Sequence, residues 1–296
     1  MPYYPGLERI LSNASSVLVG KAKALELMTV AMVAGGHVLV EDLPGLGKTL
    51  MAKALARSIG GSFRRIQFTP DLLPSDVTGF SVYNQKTAEF SFHPGPVMTN
   101  VLLADEINRT IPRTQSALLE SMAEFQVTVD GATFALPKPF FVIATQNPIE
   151  MDGTFPLPEA QLDRFLMKID LGYPDKEEEL AILRRFEKDD PLDSLKAVSS
   201  PEEVARLQEE RGSVHVSEPV RSYIAELVQA TRRHAKLRFG ASPRGSLGLF
   251  RTAQALALLR GREYVLPDDI KELAEPVLGH RLILKHEERA KGATAR

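Results

Sequence analysis

Short apolar runs alternate with helical patterns through the first two thirds of the chain. Runs of strand length predict five β-strands, at residues 37–41, 63–68, 101–104, 140–145 and 166–171. Apolar positions at helical spacing predict helices at residues 49–59, 113–124, 158–164 and 175–186. This alternation is typical of an α/β fold in which helices cover a parallel sheet.

The pattern changes after residue 188. Residues 189–199 are polar with few large apolar side chains, which is typical of a linker. Ser200, Pro201 and Glu203 then predict a helix start, with Ser200 as the cap and Glu203 completing a capping box. Further helices are predicted at 218–234, 243–260 and 267–278. We therefore divide the chain into an α/β domain at 1–187, a linker at 188–200 and a small all-helical domain at 201–296.

Two inserts interrupt the alternation. The first, at about 69–98, carries Phe80-Ser-Val-Tyr83 and Phe90-Ser-Phe92 around a polar centre, and it predicts an irregular hairpin. The second, at 126–136, places Asp130-Gly131 between alternating residues, which is a strong hairpin signal.

The composition excludes several classes of protein. The chain has 296 residues, of which 44% are hydrophobic and 25% charged, as in ordinary globular proteins. A net charge of −2 argues against a general electrostatic hold on nucleic acid or acidic membranes. Cysteine is absent, so disulfides and thiolate metal sites are excluded. No apolar run approaches the ~20 residues of a membrane span, and the N-terminus does not resemble a signal peptide, so we expect a cytoplasmic protein.

The segment around Lys48 has the pattern of a phosphate-binding loop. A strand is followed by a turn with Gly45 and Gly47, and then by Lys48, Thr49 and a helix. Glycines allow successive backbone N–H groups to converge on an anion, and the helix N-terminus adds its dipole. Lys48 would reach the β- and γ-phosphates and the Thr49 hydroxyl would bind Mg²⁺. The residues expected to contact nucleotide are Pro44, Gly45, Leu46, Gly47, Lys48, Thr49 and Leu50.

The alternative for this segment is a glycine-rich turn without a ligand, and Asp42 does stand where the P-loop pattern has its first glycine. Two adjacent carboxylates at the end of strand 101–104 favour nucleotide chemistry. Asp105 is placed to hold Mg²⁺, directly or through water, and Glu106 to orient and deprotonate an attacking water. Acidic residues after strands also serve as helix caps, so the pair alone is weak evidence for catalysis. The phosphate-binding loop earlier in the chain is what favours the catalytic interpretation.

Asn147 follows strand 140–145 and is a further candidate. A polar side chain there would lie beside the strand of Asp105, level with a γ-phosphate. Asn147-Pro148 is equally suited to begin a turn, and that interpretation remains open on the residues alone.

Together these segments resemble the AAA+ ATPases, and within them the MoxR family, whose P-loops commonly lack the first glycine. The resemblance runs from about Val19 into the last helices and depends on the order and spacing of its motifs. They read Glu41-Asp-Leu-Pro-Gly-Leu-Gly-Lys-Thr49, Gln67-Phe-Thr-Pro-Asp-Leu-Leu-Pro-Ser-Asp-Val-Thr-Gly79, Ala104-Asp-Glu-Ile-Asn-Arg109, Thr114-Gln-Ser-Ala-Leu-Leu-Glu120, Ala144-Thr-Gln-Asn-Pro-Ile-Glu150 and Leu157-Pro-Glu-Ala-Gln-Leu-Asp-Arg-Phe165.

The resemblance implies an AAA+ P-loop domain, with a five-stranded parallel sheet between helices, followed by a helical lid. It also implies roles for single residues. Asn147 resembles sensor 1, Arg164 the arginine finger that reaches a neighbouring subunit, and Arg244 sensor 2. Val19 and Gly20 match the segment that lies against adenine. Arg109 and Arg113 are further candidates for contacts between subunits. Without the resemblance, these arginines would be read as solvated surface cations.

The activity that the resemblance implies is that of a magnesium-dependent ATP hydrolase working as a ring, expected to be a hexamer. Such proteins remodel, assemble or mature other proteins, often with a von Willebrand factor A domain partner and with metal-cofactor insertion as an outcome. The sequence specifies no client. The inserts match the family's helix-2 insert and pre-sensor 1 hairpin, which face the central channel. Their aromatic residues would grip a partner or pack under their own hairpins; they are Phe80, Tyr83, Phe90, Phe92 and Phe134.

Three alternatives remain: a nucleic-acid-dependent motor, a chelatase-type motor subunit that inserts a metal ion into a macrocycle, and a nucleotide switch without hydrolysis. The second hairpin has no Lys or Arg and the first insert offers only Lys86, so a nucleic-acid strand would find little charge there. The basic run Arg232-Arg-His-Ala-Lys-Leu-Arg238 reads as a solvated helix end. Every expected catalytic position is filled, which disfavours the switch.

Overall fold

The computed structural model describes residues 4–41, 45–86, 88–147, 153–185, 191–292 and 294. Its first part alternates helices and strands. In chain order these are α1 (Pro5–Ser15), α2 (Ala22–Val33), β1 (Val38–Glu41), α3 (Lys48–Ser58), β2 (Phe63–Gln67), α4 (Pro74–Thr78), β3 (Gly79–Asn84), β4 (Glu89–Pro94), β5 (Val101–Asp105), α5 (Pro112–Glu124), β6 (Gln126–Val129), β7 (Ala132–Ala135), β8 (Phe141–Gln146), α6 (Glu159–Leu162), β9 (Met167–Ile169) and α7 (Lys176–Arg185).

Five of these strands form one parallel sheet in the order β2-β5-β8-β1-β9. Successive residues of a strand face opposite sides, and here both sides are covered. In β1, Val38 and Val40 pack into one apolar layer while Leu39 packs into the other. The predicted parallel sheet between helices is therefore confirmed, and each predicted strand is present to within two residues of its bounds.

Helices α1 and α2 precede the first predicted element and were not anticipated. Nine of the 12 residues of α2 are buried, and its only charged residues are Lys23 and Glu26 near the start, so the helical period is weakly marked in the sequence. A helix that is apolar over most of its surface is typical of a core element. It lies between the sheet and helices from the second half of the chain.

Both inserts form the predicted antiparallel hairpins. In the first, β3 pairs with β4, and in the second, β6 pairs with β7. Asp130 and Gly131 have φ values of 50° and 80°, as a two-residue hairpin turn of type I′ requires. Phe92 stacks on Phe134 with ring centroids 4.0 Å apart, so the two hairpins contact each other.

The second half contains α8 (Pro201–Glu210), α9 (Glu218–Arg233), β10 (Leu237–Phe239), α10 (Pro243–Leu259), α11 (Pro267–Leu278), β11 (Ile283–Leu284) and α12 (His286–Ala290). The predicted helices are present, and the antiparallel ribbon of β10 and β11 is an addition to the all-helical domain expected. Both strands are too short to give a period in the sequence.

The cap of α8 is partly as predicted. The Ser200 hydroxyl accepts the backbone N–H of Glu203 at 3.2 Å. The reciprocal bond of a capping box is absent, and that part of the prediction was wrong: the Glu203 carboxylate accepts from Ser199 and Arg9.

Residues 191–200, the described part of the predicted linker, pack against the α/β part. Leu192 and Leu195 are buried, and the Ser58 carbonyl at the end of α3 accepts the backbone N–H groups of Val198 and Ser199. The same apolar core continues from α1 and α2 into α10 and α11. Among the described residues, no helix combines the length and the hydrophobicity that crossing a bilayer requires.

Candidate active site

The carboxyl ends of three neighbouring strands meet at one cavity of about 990 Å³. The loop after β1, the end of β5 and the end of β8 supply its polar wall, because β8 lies between β1 and β5 in the sheet. The sequence-predicted residues that line it are Val19, Gly45, Leu46, Gly47, Lys48, Thr49, Leu50, Asp105, Glu106 and Asn147. Pro44 and Asp42 lie outside the described residues.

The glycine turn adopts the backbone that its composition predicts. Gly45 and Gly47 have φ values of 86° and 89°, where side chains with a Cβ are strained. No atom of the described residues lies within 4 Å of a Cβ added at either position, so the glycines serve the conformation of the loop rather than a close contact with that part of the chain. Gly47 is the N-cap of α3, and Lys48 and Thr49 are its first residues. The N-terminus of α3, with the positive end of its dipole, therefore belongs to the cavity wall.

Asp105 is held from two sides. Its Oδ1 accepts the Thr145 hydroxyl and its Oδ2 accepts Arg65 Nη2, both at 2.6 Å. Arg65 comes from β2, where the register pairs Gln67 with Asp105. Sequence reasoning missed Arg65 and Thr145, since a cross-strand contact depends on a register that the sequence does not show. Arg65 thus forms an ion pair with the Asp105 carboxylate at the cavity wall.

Glu106 has φ 57° and ψ 50°, a left-handed conformation that is uncommon for a glutamate. Its backbone N–H donates to Thr145 Oγ1 at 2.8 Å. Its carboxylate accepts Gln67 Nε2 at 2.8 Å and pairs with Arg109 Nε at 2.8 Å. Arg109, expected as a candidate for contacts between subunits, thus contacts the acid of its own subunit. Arg113 is exposed at the start of α5.

Asn147 follows the fully buried strand β8 and is 8% exposed. It lines the cavity beside Thr145, and its backbone carbonyl accepts Asn108 Nδ2 at 3.4 Å. Asn147 lies beside the strand of Asp105, as expected, because β5 and β8 are neighbours in the sheet.

The other end of the cavity is lined mainly by apolar side chains, together with Glu179 and Arg185 of α7. Val17, Leu18 and Val19 line it from one side, and Tyr173, Ile182 and Leu183 line it from the segment around α7. Tyr173 and Leu183 are 72% and 69% exposed. A flat apolar ring such as adenine would cover this surface. The α7 side was missed because α7 reads as an ordinary surface helix.

Gly20 stands beside this end but does not line the cavity. Its φ is 70°, and an added Cβ would lie 2.3 Å from the Glu178 carboxyl group. The adjacent Lys21 is buried, and its Nζ donates to the carbonyls of Leu171 and Gly172. Gly20 therefore shapes the turn that brings Val19 to the cavity.

Arg164 and Arg244 are not part of this cavity. They line a second pocket together with Gly36 and His37, which precede β1, whereas the phosphate loop follows β1. The four residues of β1 span about 13 Å. The two arginines therefore lie at the amino ends of the strands, opposite the carboxyl ends that carry the phosphate loop. Both are exposed, and Arg164 Nη1 donates to the Leu119 carbonyl at 3.0 Å.

The donor set suits Mg²⁺ bound together with a phosphate chain. Among the described residues, no group of three or more acidic or histidine side chains converges into a metal site of its own. Mg²⁺ is usually held by one or two protein oxygens plus substrate phosphates and waters. Thr49 and Asp105 are the two hard oxygen donors expected for it, and both line the cavity.

Comparison with known proteins agrees with this geometry. Residues 37–167 match the family model described as ATPase family associated with various cellular activities (AAA), and residues 229–296 match that of the AAA lid domain. The chain is 54% identical to the uncharacterised protein YeaC of Bacillus subtilis, covering 99% of this chain and 91% of YeaC. It is 47% identical to chaperone MoxR1 of Mycobacterium tuberculosis, covering 95% and 76% of the two chains.

A crystal structure of a presumed ATPase from Cytophaga hutchinsonii superposes with a TM-score of 0.93 at 44% identity, covering 99% of this chain and 92% of the other. These relatives match this chain over nearly its whole length, including the residues of the five-stranded sheet, the glycine loop and the paired acids. The protein belongs to the MoxR family of AAA+ ATPases.

Proposed function

We propose that this protein binds ATP with Mg²⁺ in the 990 Å³ cavity and hydrolyses it to remodel, assemble or mature partner proteins. The observation that carries the proposal is the convergence of the glycine loop, Lys48, the two acids and Asn147 at one edge of the sheet. The proposed units are an AAA+ domain at 1–187, a linker at 188–200 and a lid at 201–296, with the cytoplasm as the place of action.

Each polar group has a role in that reaction. The loop amides and Lys48 bind the phosphates, and Thr49 and Asp105 hold Mg²⁺, which neutralises charge on the phosphate oxygens. Glu106 takes a proton from the attacking water while Asn147 orients that water. Gln67 and Arg109 hold the Glu106 carboxylate, so their release or rotation would set when Glu106 acts.

Arg164 and Arg244 act on the nucleotide of a neighbouring subunit. Both line a pocket that shares no residue with the nucleotide cavity of their own chain. A positive group supplied by another chain can raise phosphoryl-transfer rates by ~10³–10⁵-fold. The active site is therefore completed only in a ring, which by family resemblance is a hexamer.

The remodelling part of the proposal rests on the hairpins and on the MoxR1 relative, which is named as a chaperone. Phe80, Tyr83 and Phe90 of the first hairpin are 50%, 49% and 73% exposed, an apolar surface suited to a protein partner. A von Willebrand factor A domain protein and metal-cofactor insertion are the partner and outcome that the family resemblance suggests. The described hairpin strands offer no Lys or Arg for a nucleic-acid strand.

Mixing two inactive variants tests the shared site. Arg164→Ala removes the cation given to the neighbour, and Glu106→Gln removes the base of the subunit's own cavity. Each variant alone should bind ATP but lose most hydrolysis, while mixtures should regain activity from cavities that face an intact Arg164. Arg221→Ala, an exposed arginine outside both pockets, is the matched control and should hydrolyse ATP normally. No recovery at any mixing ratio contradicts the shared site, and no ATP binding at all contradicts the cavity.

A further inference from the structure

Asp163 joins the segment of Arg164 to the helix of Arg244. Its Oδ2 accepts the Ser242 hydroxyl at 2.9 Å, and its Oδ1 accepts Arg281 Nε at 2.8 Å. Ser242 is the N-cap of α10, and its oxygen also accepts the backbone N–H of Arg244 at 3.1 Å. One carboxylate therefore contacts the residue that begins the Arg244 helix and is itself the neighbour of Arg164 in the chain.

Arg281 closes the same arrangement from the turn after α11. Its side chain is 3% exposed. Its guanidinium donates to the carbonyls of Phe165 at 2.5 Å and Leu166 at 3.2 Å, and to that of Val277. The neighbouring His280 Nε2 lies 3.1 Å from the Phe165 carbonyl oxygen. The backbone on the C-terminal side of Arg164 is thus tied to the lid by several hydrogen bonds.

The contact between Asp163 and Arg281 is a shielded ion pair. Burial lowers the pKa of Arg281, and the Asp163 carboxylate opposes that shift as its counter-ion. Asp163 is 19% exposed, so the pair is shielded from water far more than a surface ion pair. Close packing adds to the constraint, because a Cβ on Gly248 of α10 would lie 3.1 Å from Val277 and 3.5 Å from Leu166.

We propose that Asp163, paired with Arg281 and bonded to Ser242, is a positioning residue that holds Arg164 and Arg244 in one fixed geometry, so that both cations reach the neighbouring subunit's nucleotide together. The inference rests on the proposed function, in which these arginines act across the subunit interface. The two guanidiniums repel each other because they carry like charge, and both side chains are exposed. Their backbone segments therefore have to be held in place for both to approach one phosphate. Asp163 and Ser242 hold these segments in place without touching the nucleotide.

The test replaces Asp163 with Asn and compares it with Asp268→Asn, a matched change at an aspartate that is 83% exposed at the start of α11. Asp163→Asn should lower kcat for ATP at least tenfold and leave KM and the Kd for ADP within about twofold, because the subunit's own cavity is unchanged. Asp268→Asn should leave kcat and KM unchanged. The mass of the assembly in solution reports ring formation, and the melting temperature reports folding.

Mixing separates a positioning role from damage to the fold. Asp163→Asn subunits keep an intact cavity, so Glu106→Gln subunits with intact arginines should restore their hydrolysis, whereas a misfolded subunit would not be restored. Failure of the Arg164→Ala and Glu106→Gln mixture would overturn the shared site, which is the part of the proposed function on which this inference rests. Success of that mixture together with unchanged kcat in Asp163→Asn, or with assembled Asp163→Asn rings that cannot be restored, would overturn the positioning role alone.

Ser242 provides the second arm if Asp163→Asn does not fold. Ser242→Ala removes the hydroxyl and leaves the buried Asp163–Arg281 pair in place, while Ser242→Thr keeps both the cap and the donor. Ser242→Ala should lose several-fold in kcat at unchanged KM and be restored by Glu106→Gln subunits, and Ser242→Thr should keep wild-type kcat. Equal activity of the Ala and Thr variants would contradict the inference.

Discussion

At the scale of single residues, the site depends on backbone conformations that few residues adopt. Gly47 has φ 89° where the phosphate loop becomes α3, and Glu106 has φ 57° where β5 ends. Glycine adopts this region freely, whereas a non-glycine residue such as Glu106 costs about 1–3 kcal/mol there and persists only when its surroundings fix it. For Glu106 the fixing contacts are the Thr145 hydroxyl on its N–H and the Gln67 amide on its carboxylate. The strain is thus located where the reactive groups must be aimed.

Gly47→Ala should weaken ATP binding about tenfold, because alanine at this φ costs about 1–2 kcal/mol and the loop relaxes away from the phosphate-binding shape. Gly131→Ala is the matched control, since it has φ 80° and an equally open space around the added Cβ but lies in a hairpin turn. Isothermal titration with ATP should show the loss in Gly47→Ala only. Equal ATP affinity in the two variants would contradict the role given to the glycine.

The residues that sequence reasoning found are those whose chemistry is local. Gly45 to Thr49 and the Asp105-Glu106 pair form short motifs, and the strands that carry them are marked by apolar runs. Arg65 was missed because it reaches the site through a strand register, and Tyr173 because it lies in the segment before α7, far along the chain from the phosphate loop. Gly20, expected against adenine, lies in the turn beside Val19 with φ 70°, and its contact with a nucleotide stays a prediction.

At the scale of elements, β1 connects the two pockets, and the residue that precedes it is a buried histidine. His37 Nδ1 accepts the backbone N–H of Val142 and Nε2 donates to the Met122 carbonyl, both at 3.0 Å. Burial lowers the pKa of His37 to about 4, and burial with the nearby Arg281 charge lowers that of His280 to about 3. Both rings are therefore neutral in the folded protein at neutral pH.

Stability should accordingly fall in mild acid. Both folded-state pKa values lie below the unfolded value of about 6.5, so the unfolded chain binds more protons between that pH and about 4. The stability that the neutral buried rings contribute is fully present above pH 6.5. Between that pH and pH 5, each histidine should lower the free energy of unfolding by about 2 kcal/mol. Urea unfolding at pH 7.5 and 5 measures this. His37→Gln should shrink the difference between the two pH values, and an unchanged difference would contradict the prediction.

The hairpins illustrate which elements the sequence can predict and which contacts it cannot. Asp130-Gly131 predicted the second hairpin because two consecutive positive φ values suit that turn. The contact between the hairpins was not predictable, since Phe92 and Phe134 are 42 residues apart and belong to separate inserts. It leaves Phe90 exposed and Phe92 partly buried on the same face of one hairpin.

Phe90→Ser should therefore reduce stimulation of the ATPase by an unfolded protein such as casein while basal hydrolysis is unchanged. Phe90 is 73% exposed and contacts Tyr83, so the loss of stability should be about 0.2–1 kcal/mol. Phe92→Ser, the matched change in the same strand, breaks the stack with Phe134 and should cost about 2 kcal/mol or more. Full stimulation of the Phe90→Ser protein would contradict a role of this surface in gripping a partner.

At the scale of the whole molecule, the two halves share one apolar core. Helix α10 packs on α2, and α11 contacts β9. The lid is therefore fixed to the side of its own α/β part that carries Arg164, and Arg244 is turned away from the subunit's own cavity. The sequence motifs gave each arginine a role but could not say which nucleotide it serves, because that depends on how two separately recognised halves pack.

In the proposed ring, one subunit supplies the phosphate loop and acids while its neighbour supplies Arg164 and Arg244. A cryo-electron microscopy structure of Glu106→Gln rings with ATP and Mg²⁺ tests this arrangement most directly. We expect nucleotide against the Gly45–Thr49 loop, with guanidinium nitrogens of the neighbour's Arg164 and Arg244 within about 3 Å of its γ-phosphate oxygens. A ring in which both arginines point away from every nucleotide, or in which Arg244 reaches the ATP of its own chain, would contradict it.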